Sequence, residues 1–126
     1  MAERQYHILV IDDNEDILFM IKAMLEMKGY KVTPKDSPEN IELFIETIMP
    51  DLILMDMLLS GADGREVCKK LKTNAAIYKI PVIMISALPD ASDSCMAAGA
   101  NYFLGKPFEI SDIFKIVATA LLPVMI

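Results

Sequence analysis

Three carboxylates, one hydroxyl and one ammonium group stand at or just after the ends of apolar runs in this chain of 126 residues. They belong to Asp12, Asp13, Asp56, Ser86 and Lys106. Carboxylates that lie close together repel one another unless they share a cation, and ligands that are all oxygen suit Mg²⁺ or Mn²⁺. An ammonium and a hydroxyl beside such a cation can donate to phosphoryl oxygens. Asp56 would then be the nucleophile, because carboxylates form aspartyl phosphates.

Each of these residues also has an ordinary structural interpretation. Asp12 and Asp13 could cap a helix, because aspartate is a favoured N-cap residue. Asp56 and Ser86 could lie in turns, and Lys106 could be a solvated loop lysine. The chemical interpretation therefore requires a fold that brings all five residues together.

Apolar runs of strand length alternate with stretches of helical period along the chain. Strands are predicted at residues 7–11, 30–35, 51–55, 81–85 and 101–104, with a helix after each. Right-handed crossovers then give an α/β fold, a doubly wound, flavodoxin-like parallel sheet of five strands with five helices. Pro34 cannot donate to a sheet ladder, so its strand should lie at an edge. The strand order 2-1-3-4-5 fits best.

Local signals predict where two of the helices begin or end. Ser37, followed by Pro38, is expected to cap the second helix. The last helix is expected to start at Glu109 or Ser111 and to stop near Pro123. The stretch through Ser60 and Gly64 is expected to be a loop.

In a sheet of this kind, ligands bind outside the carboxyl ends of the strands, near the point where the strand order reverses. Asp12 and Asp13 follow the first strand, Asp56 follows the third and Ser86 the fourth, and Lys106 comes just after the fifth. The separate structural roles are plausible singly, but the topology favours one shared site.

Composition limits the classes of function. The length fits one domain over residues 1–126, and no apolar run reaches the roughly 18 residues of a membrane span. The net charge of −6, with scattered basic residues, argues against a direct nucleic-acid partner. His7 is the only histidine, and Cys68 and Cys95 lack CxxC spacing, so a structural zinc site is not expected. The expected location is the cytoplasm.

Six segments at fixed spacing carry a family resemblance. They are Val-Ile-Asp-Asp-Asn-Glu at 10–15, Pro-Asp-Leu-Ile-Leu-Met-Asp at 50–56, Asp-Gly at 63–64, Ser-Ala at 86–87, Ala-Gly-Ala at 98–100 and Lys-Pro-Phe at 106–108. From residue 8 to about residue 122, the chain resembles the receiver domains of bacterial two-component response regulators.

The resemblance implies a phosphoacceptor switch. A phosphohistidine on a histidine kinase or phosphotransfer protein would donate its phosphoryl group to Asp56 in a reaction that requires Mg²⁺, for which Mn²⁺ could substitute. The metal ligands would be Asp12, Asp13, Asp56 and the backbone carbonyl of Met57. Such a domain is not an enzyme beyond its self-catalysed phosphoryl uptake and slow autodephosphorylation.

The resemblance also implies phosphate-binding and switch residues. Ser86, Ala87 and Lys106 would bind the phosphoryl group, and the peptide bond before Pro107 would be cis. Movement of Ser86 toward the phosphate would open space for the ring of Phe103. That exchange would change the face formed by the fourth helix, the fifth strand and the fifth helix, which would control an output protein or domain and could form a homodimer.

The chain departs from the family pattern at several positions. Ser60 stands where proline is frequent, so its loop could be looser. Phe103 replaces a frequent tyrosine, so the switch could act by packing alone. Leu58 and Leu88 are apolar, and if they flank the phosphate they should hinder an attacking water and slow the decay of the phosphorylated state.

Two other functions compete with this prediction. A Mg²⁺-dependent phosphatase of the haloacid dehalogenase type needs a second aspartate two residues after a nucleophile on the first strand. Asp12 is followed by Asp13 and Asn14, so the spacing fails. A pseudo-receiver, an interaction module that is never phosphorylated, remains the main alternative. No output domain is expected within the chain, and the sequence does not decide between a lone receiver and a piece of a longer regulator.

Overall fold

Five parallel strands form the central sheet, and helices cover both of its faces. The computed structural model describes residues 4–125. In chain order the elements are β1 (His7–Ile11), α1 (Glu15–Met27), β2 (Lys31–Lys35), α2 (Ile41–Ile48), β3 (Leu52–Asp56), β4 (Leu58–Leu59), β5 (Ala62–Asp63), α3 (Gly64–Thr73), β6 (Val82–Ser86), α4 (Ala91–Ala97), β7 (Tyr102–Gly105) and α5 (Ile110–Met125).

The main sheet has the order β2-β1-β3-β6-β7, and every neighbouring pair in it is parallel. The sequence predicted a parallel sheet of five strands and five helices, with the Pro34 strand at an edge, and the structure has these features. The sequence did not predict β4 and β5, which pair with each other as a separate antiparallel hairpin. The predicted order 2-1-3-4-5 counted only the strands of the main sheet.

Alternate residues along the strands face different helical layers. Ile53 and Met55 of β3 pack in a cluster with residues of α2, α3 and α4. Leu52 and Leu54 of the same strand pack in a second cluster with residues of α1 and α5. Because both faces are covered, all five residues of β3 are buried, as expected for a central strand of a parallel sheet.

Helix α1 begins directly beyond the first predicted pair of carboxylates. Asn14 is its N-cap, and its side-chain oxygen accepts hydrogen bonds from the backbone N–H groups of Asp16 and Ile17. Leu18, Ile21, Met24 and Leu25 form its buried side. The capping role considered for Asp12 and Asp13 therefore belongs to Asn14.

Two predicted helix limits were wrong. Helix α2 begins at Ile41 and not after Ser37, because Asn40 precedes it in the left-handed conformation and a Pro38–Ile41 turn comes first. Helix α5 continues through Pro123 to Met125. A proline in a last turn removes one backbone hydrogen bond and leaves the earlier turns intact.

Within residues 4–125, no helix has both the length and the apolar character that crossing a membrane requires. Cys68 and Cys95 are free and buried, and burial raises the pKa of both thiols.

Candidate functional site

The carboxyl ends of four strands meet at one edge of the sheet and bring the predicted site residues together. Backbone hydrogen bonds extend the sheet by one residue beyond these ends. The amide of Asp12 donates to the Lys35 carbonyl (3.1 Å), and the amide of Lys106 donates to the Ser86 carbonyl (2.8 Å). Asp56, the last residue of β3, stands opposite Ile85. The positions of the site residues are thus set by the ladder of the sheet.

Lys106 lies between two buried carboxylates. Its Nζ is 2.9 Å from Asp56 Oδ2 and 3.8 Å from Asp12 Oδ2. Asp12 is 2% exposed and Asp56 is 8% exposed. One ammonium therefore faces two carboxylates in a place that water reaches poorly. Lys106 can neutralise only one of the two negative charges, so a further cation would be favoured there.

Asp12 is held in an environment that disfavours its charge. The pKa of Asp12 is raised to about 6. Burial is the largest cause, the hydrogen bond from the Asn14 backbone N–H opposes it, and Asp56 raises the pKa by more than Lys106 lowers it. Asp12 Oδ1 accepts that Asn14 N–H at 2.9 Å. A divalent cation beside Asp12 and Asp56 would remove the repulsion between them.

Asp13 is exposed and lies outside this pair. Its Oδ2 accepts a hydrogen bond from the Ser60 hydroxyl at 3.0 Å. Among residues 4–125 no group of three or more His, Cys, Asp or Glu side chains is close enough to hold a metal ion. The structure therefore brings Asp12 and Asp56 together, and turns Asp13 toward the hairpin. This donor set still fits Mg²⁺, which keeps several waters and binds one or two protein carboxylates.

The Met57 carbonyl, predicted as a metal ligand, lies against the start of α3. Met57 is fully buried, and its carbonyl accepts the amide of Gly64 at 2.6 Å. A Cβ on Gly64 would lie 2.6 Å from the Asp56 carbonyl oxygen. A carbonyl oxygen can accept at a second lone pair, so the Met57 carbonyl as a metal ligand stays a prediction.

Ser86 ends β6 beside the carboxylates and is 2% exposed. Its hydroxyl oxygen accepts the Leu88 amide at 3.0 Å, so the hydroxyl proton stays free to be donated elsewhere. Ala87 follows at the surface with an exposed side chain. The segment from Ser86 to Leu88 is therefore a turn that starts inside the site and ends in solvent.

Phe103 and Tyr102 pack on opposite faces of the sheet. Phe103 is partly buried against the cluster that contains α3 and α4, and Tyr102 is partly buried against the other. Phe103 stands opposite Met84, two residues before Ser86. The peptide bond between Lys106 and Pro107 is cis, as the resemblance implied.

Sequence reasoning missed a link between the hairpin and α4. Asp63 caps α3 and is paired with the guanidinium of Arg65, with Nη2 2.6 Å from Asp63 Oδ2. Arg65 Nη1 also donates to the Ser94 hydroxyl at 3.1 Å. The pairing with Arg65 holds the pKa of Asp63 below its usual range, chiefly through the hydrogen bond between the two side chains. Only Asp63-Gly64 was noted in the sequence, and no local signal pairs Arg65 with a residue 29 positions away.

Comparison with known proteins gives one consistent family. The family model described as the response regulator receiver domain matches residues 8–118. A DNA-binding dual master transcriptional regulator, RpaA of Synechocystis, is 33% identical over 116 residues, which cover 90% of this chain and 48% of that protein. The alkaline phosphatase synthesis transcriptional regulatory protein PhoP of Bacillus subtilis is 34% identical over 108 residues, which cover 84% of this chain and 44% of PhoP. The chain spans about half the length of these two relatives.

Solved structures agree with the sequence match. The receiver domain of a signal transduction histidine kinase from Syntrophus aciditrophicus has a TM-score of 0.87 and 28% identity, over 94% of this chain and 92% of that one. The receiver domain of a sensor histidine kinase from Pseudomonas aeruginosa has a TM-score of 0.84 and 28% identity, over 94% and 98% of the two chains. That structure holds a magnesium ion in its active-site cleft. With the family model matching most of its length and its site residues at the ends of the expected strands, this chain belongs to the receiver domains of two-component response regulators.

Proposed function

We propose that the chain is a Mg²⁺-dependent phosphoacceptor switch in which Asp56 takes a phosphoryl group from a phosphohistidine donor. Membership of the receiver-domain family supports a signalling role in general. The observation that carries the specific proposal is the contact of 2.9 Å between Lys106 Nζ and Asp56 Oδ2, with the buried Asp12 carboxylate beside it. An aspartate nucleophile, a cation site and a phosphate-binding ammonium are the groups that phosphoryl transfer needs.

Asp12, Asp13 and Asp56 would hold the cation, with the Met57 carbonyl as a further ligand. When bound, Mg²⁺ or Mn²⁺ neutralises charge on the phosphoryl oxygens and on the carboxylates. The magnesium ion in the cleft of the related histidine-kinase receiver supports this assignment. Asp12 must lose its proton before it can serve as a ligand.

In the proposed transfer, one Asp56 carboxylate oxygen forms a bond to phosphorus while the bond from phosphorus to the donor imidazole nitrogen breaks. The leaving imidazole takes up a proton from solvent. Lys106 would move its hydrogen bond from the Asp56 carboxylate to a phosphoryl oxygen, and Ser86 and the Ala87 amide would donate to others. Ser86 ends β6 and the Lys106 amide extends the sheet ladder beyond β7, so the sheet fixes the backbone that carries these two side chains.

The switch is proposed to connect Ser86 with Phe103. Movement of the Ser86 hydroxyl toward the phosphoryl group would give up its contact with the Leu88 amide, which is 3.0 Å long in the structure. The ring of Phe103, partly buried on the side of α3 and α4, could then repack. The surface that changes would be the face of α4, β7 and α5, through which an output protein, an output domain or a second copy would bind.

The phosphodonor is proposed to be a histidine kinase or a histidine phosphotransfer protein. An open apolar depression of about 480 Å³ borders Lys106 and is lined by Ile17, Met20, Ala87, Lys106, Pro107 and Phe108. Because it shares Ala87 and Lys106 with the site, a donor helix resting there would bring its histidine to Asp56. RpaA is a DNA-binding protein, so the expectation that this chain does not bind nucleic acid stays a prediction.

The test uses phosphoramidate, a small donor whose phosphorus–nitrogen bond resembles that of phosphohistidine. The full chain in Mg²⁺ is expected to gain one alkali-labile phosphoryl group at Asp56, measured by intact mass and peptide mapping, and to gain none in EDTA. Failure to take up phosphoramidate or acetyl phosphate, or to bind beryllofluoride with Mg²⁺, would favour the pseudo-receiver. Repeated turnover of small phosphate esters would favour the phosphatase.

We expect polar substitution of both Leu58 and Leu88 to speed loss of the phosphoryl group by about 10-fold, because water could then approach the phosphorus more easily. The amide of Leu58 donates to Asp56 Oδ1 (3.1 Å), and the two side chains are 57% and 48% exposed. The measurement is the decay of phosphorylated Leu58→Gln/Leu88→Gln after donor removal. Leu43→Gln, at an exposed leucine on α2, is the matched control. Equal decay rates in the double variant and the wild type would contradict the prediction that Leu58 and Leu88 slow the loss of the phosphoryl group.

A further inference from the structure

Two series of contacts connect the candidate site with the first turn of α4. The first starts at Ser86, whose hydroxyl oxygen accepts the Leu88 amide at 3.0 Å. The Leu88 carbonyl in turn accepts the amide of Ala91, the first residue of α4, at 3.3 Å. One short turn therefore joins the start of α4 to a residue that is proposed to move toward the phosphoryl group.

The second series runs from the hairpin to Arg65. Leu58 of β4 pairs with Asp63 of β5, and the Leu58 amide donates to Asp56 Oδ1 at 3.1 Å. Both carboxylate oxygens of Asp63 accept from the Arg65 guanidinium, with Nε 2.9 Å from Oδ1 and Nη2 2.6 Å from Oδ2. Because a guanidinium is planar, this two-point contact fixes the direction in which the remaining nitrogen, Nη1, can donate.

That nitrogen of Arg65 holds the first turn of α4. Nη1 donates to the Ser94 hydroxyl at 3.1 Å, and the same hydroxyl donates to the Ala91 carbonyl at 3.0 Å. The proton of the Ser94 hydroxyl is therefore used within its own helix, and its oxygen accepts from Arg65. The Arg65 side chain is 33% exposed, so water competes only partly for this contact.

The two ends of the Arg65 contact differ in how firmly they are held. Helix α3 begins at Gly64, whose amide donates to the Met57 carbonyl at 2.6 Å, and a Cβ on Gly64 would lie 2.6 Å from the Asp56 carbonyl oxygen. The start of α3 is thus packed directly on the backbone at the end of β3. Helix α4 belongs to the face that is proposed to change, so its movement would have to stretch the bond between Arg65 and Ser94.

The bond to α4 occurs together with a resting arrangement of the phosphate-binding groups. Ser86 accepts from the Leu88 amide, and the Lys106 ammonium contacts the Asp56 carboxylate at 2.9 Å. Both side chains that would bind a phosphoryl group therefore have other partners. A contact that is made in only one of two states opposes the change to the other state by its own strength.

We propose that Arg65 is a positioning residue of the switch: its bond to Ser94 restrains α4 in the resting arrangement, and this bond breaks when the site takes up a phosphoryl group. The inference rests on the proposed function, because the restraint acts on the same switch. Its consequence is that part of the affinity for the phosphoryl group is spent on releasing α4. A chain without the bond would change state more easily.

Ser94→Ala is expected to raise the affinity for beryllofluoride in Mg²⁺ by about 3- to 10-fold, because a partly exposed hydrogen bond contributes a factor of this size. The substitution leaves the pair of Asp63 and Arg65 in place. Ser92→Ala, at a half-buried serine of the same helix, is the matched control, since the Ser92 side chain makes no hydrogen bond within residues 4–125. Its affinity should equal that of the wild type.

A double-mutant cycle separates the bond from other effects of the substitution. Arg65→Gln removes the guanidinium and is also expected to raise the affinity. In that background, Ser94→Ala should add nothing, because the contact is already gone. If Ser94→Ala still raises the affinity in the Arg65→Gln background, its effect does not pass through Arg65 and the proposal is wrong. Melting temperatures without beryllofluoride show that each variant is folded.

The measurement is calorimetric titration of the full chain with beryllofluoride in saturating Mg²⁺, beside a titration with Mg²⁺ alone. The affinity for Mg²⁺ alone should not change in Ser94→Ala, because Ser94 contacts α4 and Arg65 and none of the site carboxylates. Wild-type protein that does not bind beryllofluoride contradicts the proposed function, and the restraint with it. Wild-type protein that binds, together with a Ser94→Ala variant of equal or lower affinity, overturns the role of Arg65 and leaves the proposed function standing.

Discussion

Asp56→Asn is expected to lower the rate of phosphoryl uptake from phosphoramidate by at least about 1000-fold, because an amide cannot replace a carboxylate as the nucleophile. The substitution changes little else. The remaining carbonyl oxygen can keep a hydrogen bond from either the Leu58 amide or the Lys106 ammonium. Asp12 also stays within 3.8 Å of Lys106, so that ammonium keeps a carboxylate partner. The measurement is the initial rate of uptake in saturating Mg²⁺, followed by intact mass.

Asp36→Asn is the control for Asp56→Asn. Asp36 is an exposed carboxylate that follows β2 at the same edge of the sheet, and it contacts neither Lys106 nor Ser86 in the described hydrogen bonds and ion pairs of residues 4–125. Its uptake rate should match that of the wild type. If Asp56→Asn still takes up phosphoryl groups at a comparable rate, another residue must be the acceptor, and the assignment of Asp56 is contradicted.

The positions of Asp56, Ser86 and Lys106 could be predicted because each depends on one strong signal, an apolar run of strand length that stops. In a parallel sheet the carboxyl ends of these runs must lie at the same edge. The structure places Asp56 at the end of β3, Ser86 at the end of β6 and Lys106 next to β7. The sheet and its central strand followed from the same runs, since residues buried on both faces show no alternation.

The hairpin could not be predicted, because two-residue strands are too short to show any periodicity. Its consequences were therefore missed as well. Ser60 faces Asp13 through a turn whose register depends on the Leu59–Ala62 pair. The Met57 carbonyl accepts the Gly64 amide where the chain folds back on itself. In both contacts, the distance between the two segments is set by the turn of the hairpin. No pattern in the sequence predicts that distance.

The errors at helix ends have local causes. Ser37-Pro38 carries the residue types of a helix start, but the chain makes one further turn and Asn40 adopts the left-handed conformation before α2 begins. Asparagine tolerates that conformation better than most residues. At the other end, Pro123 lies in the last turn of α5, where the missing N–H affects a single hydrogen bond. Residue type alone did not distinguish these cases.

Asp12→Asn is expected to have opposite effects on the metal-free and the metal-bound protein. Without metal at pH 7.5, the variant should gain about 1–3 kcal/mol in free energy of unfolding, because it no longer places a charge in a buried position beside Asp56. An asparagine oxygen can still accept the Asn14 amide, which donates to Asp12 Oδ1 at 2.9 Å in the wild type. The measurement is urea unfolding in EDTA.

The pH dependence of this gain follows from the pKa of Asp12, which is about 6 in the fold against an ordinary aspartate pKa of 3.8. The folded state binds this proton more tightly than the unfolded chain does. The stability that the protonated carboxyl contributes is therefore fully present below about pH 4 and is lost as the pH rises through about 6. Since asparagine does not titrate, the difference between variant and wild type should grow from pH 4 to pH 7 and then level off.

Mg²⁺ should reverse the order of stability. The wild type would gain stability from binding by mass action, whereas Asp12→Asn, which lacks a direct ligand, should bind Mg²⁺ at least about 100-fold more weakly. A variant less stable than the wild type in EDTA at every pH would contradict the repulsion between Asp12 and Asp56. A variant that keeps its Mg²⁺ affinity would show that Asp12 is not a ligand. Because the same buried carboxylate is proposed both to destabilise the metal-free protein and to bind the cation, the two effects should disappear together in one substitution.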